Sequence, residues 1–291
     1  MTHVVCVGDL MVDVLAKLSR PLATGSDTPA PIGIYGGGAA ANVAAWLVAD
    51  DAAATFVGRI GDDALGLRAV EELSSAGVTP VVTIDVARPT GTCIVLVDHH
   101  GERTMIPSTG ANAGSSDVAM LPASADWLYV SGYSLLADAA RPFALQAMDV
   151  ARGRGWSIAV DAASAAPLYA AGGAAFLEWI GGDVLLFANT DEAQVLTGHE
   201  DAGAAVRDLA ARCGQAIVKR GASGAVWADV AGSRTVRATP TAVIDSTGAG
   251  DAFAAGYLAH DGDVDRRLAN AARLAAQAVG RLGARPISVS S

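Results

Sequence analysis

Ten consecutive residues, Ile244-Asp245-Ser246-Thr247-Gly248-Ala249-Gly250-Asp251-Ala252-Phe253, combine glycines, small polar side chains and carboxylates in a pattern suited to handling charged oxygen. A β-rich run (residues 235–244) precedes the turn and a small-residue run that reads as a helix follows it. The turn therefore opens onto a helix N-terminus. Free N–H groups there, backed by the positive end of the helix dipole, favour phosphate or a developing negative charge, and Gly248 and Gly250 admit a ligand close to the backbone. Asp251 has a different task. A carboxylate aimed at bound phosphate would repel it, so Asp251 faces whatever attacks the phosphorus; standing alone it would equally be a first-turn Asp complementing the dipole. A dinucleotide fingerprint is excluded, because Phe253 stands where the third glycine is needed and no βαβ unit follows, and a Walker A loop is absent.

The surrounding elements read as an α/β chain. Val4 to Val7 is a continuous apolar strand ended by Gly8-Asp9. Met11 to Leu18 alternates loosely, and Pro21, Pro29 and Pro31 forbid a helix after it, so residues 10–35 give two short strands. Thr92–Val97 and Arg103–Ile106 flank Asp98-His99-His100-Gly101 as a hairpin, completing a small β-lid from segments of about 10–35 and 90–108. A helix spans 39–48, a strand 55–58, and a helix 65–76 ends at Gly77. From Trp127 strands and helices alternate: strand 127–130, helix 138–152, strand 157–160, helix 171–180, strand 184–187, helix 200–212, strand 216–218. This predicts a doubly wound, mostly parallel sheet flanked by helices. An antiparallel excursion (225–228 and 235–238) and helices at 251–260 and 264–282 close the chain. A run of 291 residues with 52% hydrophobic content suits one large domain with a small appendage.

A net charge of −10 argues against nucleic acid or an anionic membrane as the main partner and favours a small ligand. Cys6, Cys93 and Cys213 lie far apart in apolar runs without metal spacing, which reads as buried thiols in a reducing compartment. With no basic, apolar leader at the start and no spanning stretch, a cytoplasmic location is expected.

Asp245-Ser246-Thr247-Gly248-Ala249-Gly250-Asp251-Ala252-Phe253, together with Gly37-Gly38-Ala39-Ala40-Ala41-Asn42, resembles the two signatures of the ribokinase-like (PfkB-type) carbohydrate kinases, and the likeness spans residues 1–291 as one kinase domain. It implies Asp251 as the base that takes the proton of a substrate hydroxyl, and an anion hole from Gly248, Ala249 and Gly250. Phosphoryl transfer is governed by positioning and by oriented N–H groups, which agrees with the turn read on its own. Asp13 matches the family's substrate-binding Asp. Gly37 and Gly38 would let a sugar lie against backbone, with Asp13 and Asn42 on its hydroxyls; Ala39 departs from the commonest family form and leaves substrate identity open. Asn189-Thr190-Asp191-Glu192 resembles the family's N-x-x-E motif, implying that Asn189 and Glu192 organise Mg²⁺ and phosphate through water; the same four residues also spell a helix capping box.

Lys219-Arg220-Gly221-Ala222-Ser223-Gly224 resembles the nucleotide loop, with Lys219 on phosphate, Gly221 and Gly224 shaping the turn, and Arg220 reading as a turn charge. Asn270 matches the adenine-side Asn. Asp245 and Thr247 resemble the K⁺ site of ribokinase relatives, and Arg103 is a weaker candidate for substrate contact. The resemblance thus implies transfer of the γ-phosphoryl of Mg·ATP to a hydroxyl of a small sugar, and a homodimer through the lid. A nucleoside kinase and an inactive sugar- or nucleotide-binding module are the alternatives; the lid offers little beyond Tyr35 for stacking a base.

Overall fold

The computed structural model describes residues 1–100 and 103–286. In chain order the first half gives β1 (His3–Val7), β2 (Met11–Lys17), β3 (Ile32–Gly37), α1 (Ala39–Ala49), β4 (Ala53–Gly61), α2 (Ala64–Ser75), β5 (Thr79–Asp85), β6 (Gly91–Val97) and β7 (Arg103–Ser108). The second half gives β8 (Trp127–Ser131), α3 (Gly132–Leu136), α4 (Arg141–Arg154), β9 (Ser157–Asp161), α5 (Ala165–Ala171), α6 (Gly173–Ile180), β10 (Val184–Asn189), α7 (Thr190–Thr197), α8 (Ala202–Cys213), β11 (Gly214–Lys219), β12 (Ala225–Asp229), β13 (Ser233–Val236), α9 (Ala249–Leu258) and α10 (Val264–Val279).

The main sheet runs β13-β12-β11-β10-β9-β8-β1-β4-β5, parallel except where β12 and β13 turn back. Strand β1 shows why it is covered twice. Val4 and Cys6 pack with α1, α9 and α10 on one face, while Val5 and Val7 pack with α4, α6 and α8 on the other, so every second residue feeds a different core. The order reverses at β1: the chain steps outward through β4 and β5, returns beside β1 as β8, and then continues through β9, β10 and β11. In open α/β sheets ligands bind outside the carboxyl ends of the strands at such a reversal.

The second sheet, β3-β2-β6-β7, is built from the two segments expected to form the lid. One face holds Met11, Leu15, Cys93 and Val95 against Tyr35 and Val97. Its other face carries Ile34, Val14, Ile94 and Ile106 in one cross-strand row, with the three isoleucines exposed. The β6–β7 pairing fits the expected hairpin, whose Gly101-Glu102 lies outside the described residues.

Three expectations about elements need correction. The run 235–244 is strand only to Val236; Pro240 lacks the N–H a ladder needs, and Val243 and Ile244 are exposed. The helix expected at 171–180 is α6, which begins only at Gly173, and a separate unexpected helix, α5, precedes it across Gly172 at φ 89°. Helix α4 starts at Arg141 with Pro142 in its first turn, not at 138. The capping box read at Asn189 to Glu192 does open a helix, α7, between β10 and α8.

Gly38 fixes how the chain passes from the small sheet into α1. It caps the helix at φ 92°, and a Cβ there would lie 2.5 Å from the carbonyl oxygen of Asp9. Gly38→Ala should lower unfolding free energy by roughly 1–3 kcal/mol through backbone strain and overlap. Denaturant titration checks this, and a stability equal to the parent's would show that the turn relaxes freely.

Candidate active site

Helix α9 begins at Gly248, whose φ of 74° needs a glycine and whose added Cβ would lie 2.4 Å from the carbonyl oxygen of Ala284. Ala249, Gly250 and Asp251 form its first turn, where amides lack intrahelical acceptors. Helix α1 packs alongside and also starts at a glycine, Gly38. The two helix starts meet where the Asn42 amide donates to the Asp251 carboxylate at 2.8 Å, across 209 residues of sequence. Burial pushes the Asp251 carboxyl up to about 7; the Asn42 bond opposes the shift, Asp161 adds to it, and Lys219 opposes it.

Arg285 was not legible in the sequence. Its Nε donates to Asn42 Oδ1 at 3.1 Å, one terminal nitrogen donates to the Gly37 carbonyl at 2.6 Å, and the other pairs with Glu72 at 3.1 Å. Holding the Asn42 oxygen turns the amide nitrogen toward Asp251. Arg285 also fills the space over the glycine signature, since a Cβ on Gly36 would lie 2.1 Å from its guanidinium. Asp13 lies against Gly37 on the same wall, and its carboxyl is pushed up to about 6 by burial, partly countered by Arg285.

Three neighbouring parallel strands end in polar groups at the same edge: β9 in Asp161, β10 in Asn189 and β11 in Lys219. Lys219 Nζ donates to Asp161 at 2.8 Å and lies 3.2 Å from where a Cβ on Gly250 would sit, so the ammonium stands beside the anion turn. Burial works against its charge, but Asp161 and Glu192 outweigh that and hold the pKa above the ordinary lysine value. Asn189 and Glu192 make the full capping box: Glu192 N–H donates to Asn189 Oδ1 at 2.9 Å, and Asn189 N–H donates to Glu192 Oε2 at 2.7 Å. Glu192 is buried, and burial followed by Asp161 raises its carboxyl. Asp9, next to the end of β1, accepts from Ala39 N–H at 2.9 Å and from Ser131 at 2.8 Å, anchoring α1.

Residues 1–290 match, as a whole, the family described as pfkB family carbohydrate kinase. The chain belongs to that family. It is 32% identical to the ATP-dependent ribose-1-phosphate kinase of Halopiger xanaduensis over 98% of this chain and 94% of that one. It is 30% identical to the fructokinase of Klebsiella pneumoniae over 87% of this chain and 82% of that one. Among solved structures, the adenosine kinase of Sinorhizobium meliloti superposes with a TM-score of 0.87 at 25% identity, covering 98% of this chain and 96% of that one. This pfkB kinase therefore has the ribokinase-like fold, and its chemistry is transfer of a phosphoryl group to a sugar.

Within the family frame, the structure brings Asp13, Gly37, Gly38, Asn42, Lys219, Gly248, Ala249, Gly250 and Asp251 to one edge of the sheet, with Glu192 behind Lys219. Two expected roles shift. Asn270 donates both amide protons within the protein, to Asp50 at 2.6 Å and to the Gly256 carbonyl at 2.7 Å; it ties α10 to α9 and has no donor left for an adenine. Asp245 is not an open cation ligand, because the Arg103 guanidinium already pairs with its carboxylate. Gly224 is dictated by packing, since a Cβ there would lie 2.0 Å from the Val236 carbonyl, while Gly221 at φ 53° faces open space. Arg220 closes its own turn on the Ser223 carbonyl at 3.0 Å, as a turn charge should.

Among the described residues no group of three or more His, Cys, Asp or Glu side chains is set to enclose a metal, and no helix is long and apolar enough to cross a membrane. Asp161 is paired with Lys219, so Glu192 is the carboxylate left at this edge for a divalent ion held mainly by water and substrate phosphates, which is how Mg²⁺ commonly binds. Asp161 had a readable signal after all: it ends a parallel strand beside two others that carry polar termini.

Asn42 sets the ionisation of Asp251 by donating to it, so Asn42→Ala should raise the Asp251 pKa. Loss of a hydrogen bond to a charged group, about 1.5–3 kcal/mol, corresponds to roughly 1–2 pH units. With Asp251 as the base, the acid limb of kcat/KM is expected near pH 7 in the parent and should move upward by that amount. A pH–rate profile with an unmoved limb would separate Asn42 from Asp251.

Proposed function

We propose that this chain uses Mg·ATP to phosphorylate a hydroxyl of a small sugar, with Asp251 as general base. The observation that carries the reading is the Asn42–Asp251 contact at two facing helix starts: a carboxyl poised near pH 7 beside a turn built for anions. Asp251 accepts the hydroxyl proton as the oxygen attacks the γ-phosphorus. The amides of Gly248, Ala249 and Gly250 and the Lys219 ammonium offset the charge on the transferred group. Asp13, Asn42 and the Gly37–Gly38 backbone hold the sugar. Glu192 and Asn189 serve the Mg²⁺ side through water, where the metal neutralises the ATP phosphates, and Gly221 and Gly224 shape the nucleotide loop.

The four-stranded sheet acts as a lid on the same catalytic unit and limits loss of the phosphoryl group to water. The two curated relatives are named for a ribose phosphate and for fructose, which supports a pentose or hexose derivative as acceptor. Three buried free thiols suit the cytoplasm.

Asp251→Asn should lower turnover by about 10²–10⁴-fold while ATP still binds. ADP release across free sugars, sugar phosphates and nucleosides checks both the base and the acceptor. A variant with near-parent turnover removes Asp251 from the chemistry, and a parent inert on every acceptor favours a binding module.

The exposed Ile34–Ile94–Ile106 row supports a homodimer formed face to face through two lids. Ile94→Lys should convert the dimer to a monomer by light scattering after size exclusion. A parent that is already monomeric at micromolar concentration overturns the lid dimer.

A further inference from the structure

The turn that opens α9 hangs on Asp245, which is 1% exposed. One carboxylate oxygen accepts from Thr247 N–H at 2.6 Å and the other from Gly283 N–H at 3.0 Å. The first oxygen also takes the ion pair with Arg103, and the second guanidinium nitrogen of Arg103 donates to the Ser246 hydroxyl at 3.0 Å. Arg103 comes from β7, on the edge of the small sheet and 142 residues away in sequence.

The resemblance to ribokinase relatives calls for K⁺ at Asp245 and Thr247, and these residues do not fit it. K⁺ needs several oxygens with free lone pairs, and a carboxylate among them attracts the ion only while its own charge is unanswered. Here the one buried carboxylate is shared by two backbone amides and already neutralised by a guanidinium. A second cation against the same carboxylate would meet Arg103 at close range, in a place where little water screens like charges. A buried carboxylate left without a cation would also be costly, so the position demands one positive charge and has it.

We propose that Arg103 is a built-in replacement for the monovalent cation: it supplies the charge that holds Asp245 to Thr247 and so shapes the anion-binding turn, and the enzyme needs no K⁺. The inference rests on the sugar-kinase reading for its effect on rate, but the cation preference can be read without turnover. Arg103 is a positioning residue, acting through Asp245 on the amides of Gly248 to Gly250. Its placement on β7 also means that the small sheet contributes to the turn's order directly.

The test compares KCl, NaCl and choline chloride at equal ionic strength, with thermal unfolding and ADP release as separate readouts. The parent protein should show the same unfolding midpoint and the same turnover in all three. Arg103→Ala should lose on the order of 10–100-fold in turnover, as removal of a supporting partner commonly does, and should regain activity and stability with K⁺ or guanidinium but not with choline. Arg103→Lys, which keeps the charge without the fork, should stay K⁺-independent with a smaller loss. Stabilisation or activation of the parent by K⁺ over choline overturns the proposal, as does an Arg103→Ala protein indifferent to every cation. If the parent phosphorylates nothing, the function reading fails, and the unfolding midpoints still decide the cation question.

Discussion

The contact between Asn42 and Asp251 is the joint on which the rest of the site depends. Two helices have to bring their N-termini within hydrogen-bond reach, and this is possible because both are built from small residues where they pack. Ala40, Ala41, Ala44 and Ala45 on α1 and Ala252, Ala254 and Ala255 on α9 are all buried, and each helix begins at a glycine in a conformation that other residues rarely adopt. Close approach removes water from the Asp251 carboxyl, and water removal is the largest cause of its raised pKa. Helix packing thereby tunes the carboxyl proposed as the base.

Charge in the site is arranged from opposite ends. Asp9, Asp13, Asp161, Glu192 and Asp251 are all near enough to perturb one another or their partners, and Lys219 and Arg285 are the cations that answer them. Lys219 stands by the turn that would receive phosphate, while Arg285 stands over the glycine signature and Asn42. Such crowding of carboxylates is poor for stability and useful for binding, because a metal ion and hydroxyl donors are what an acidic, partly dehydrated edge is short of. The raised carboxyl pKa values carry the same message: between the ordinary Asp value and about 7 the folded chain holds more protons than the unfolded one, so Asp251 weakens the fold as pH rises through that window.

What was legible in the sequence was local. Strand ends followed by glycine, the capping pattern at Asn189 to Glu192, and the turn at Gly248 to Asp251 are each written in a few consecutive residues, and each has its expected shape. The misses are of another kind. Arg285 works through Asn42, Gly37 and Glu72, none of which is near it in sequence, and nothing in Ala284-Arg285-Pro286 signals those partners. Asn270 was assigned by motif, but a helical Asn has a face as well as a position, and its face meets Asp50 and Gly256. The run 235–244 misled because alternating apolar residues can line an exposed connection as well as a strand, and Pro240 was the available warning.

The short segment Gly283 to Arg285 binds the site more widely than its length suggests. Gly283 N–H holds Asp245, the Ala284 carbonyl accepts from Trp46 on α1 at 2.8 Å, and Arg285 holds Asn42. One short segment thus fastens the turn of α9, the body of α1 and the Gly37–Asn42 wall together. Asp245 in turn receives Arg103 from the small sheet, so the fastening extends from the end of the main fold to the lid through a single buried carboxylate. As the anion site proposed above, the turn would gain from being held on both sides, because donors already aligned need not reorganise when charge appears. That role would suit an ion pair that ties β7 of the small sheet to Asp245, on the turn itself, rather than to Asp251.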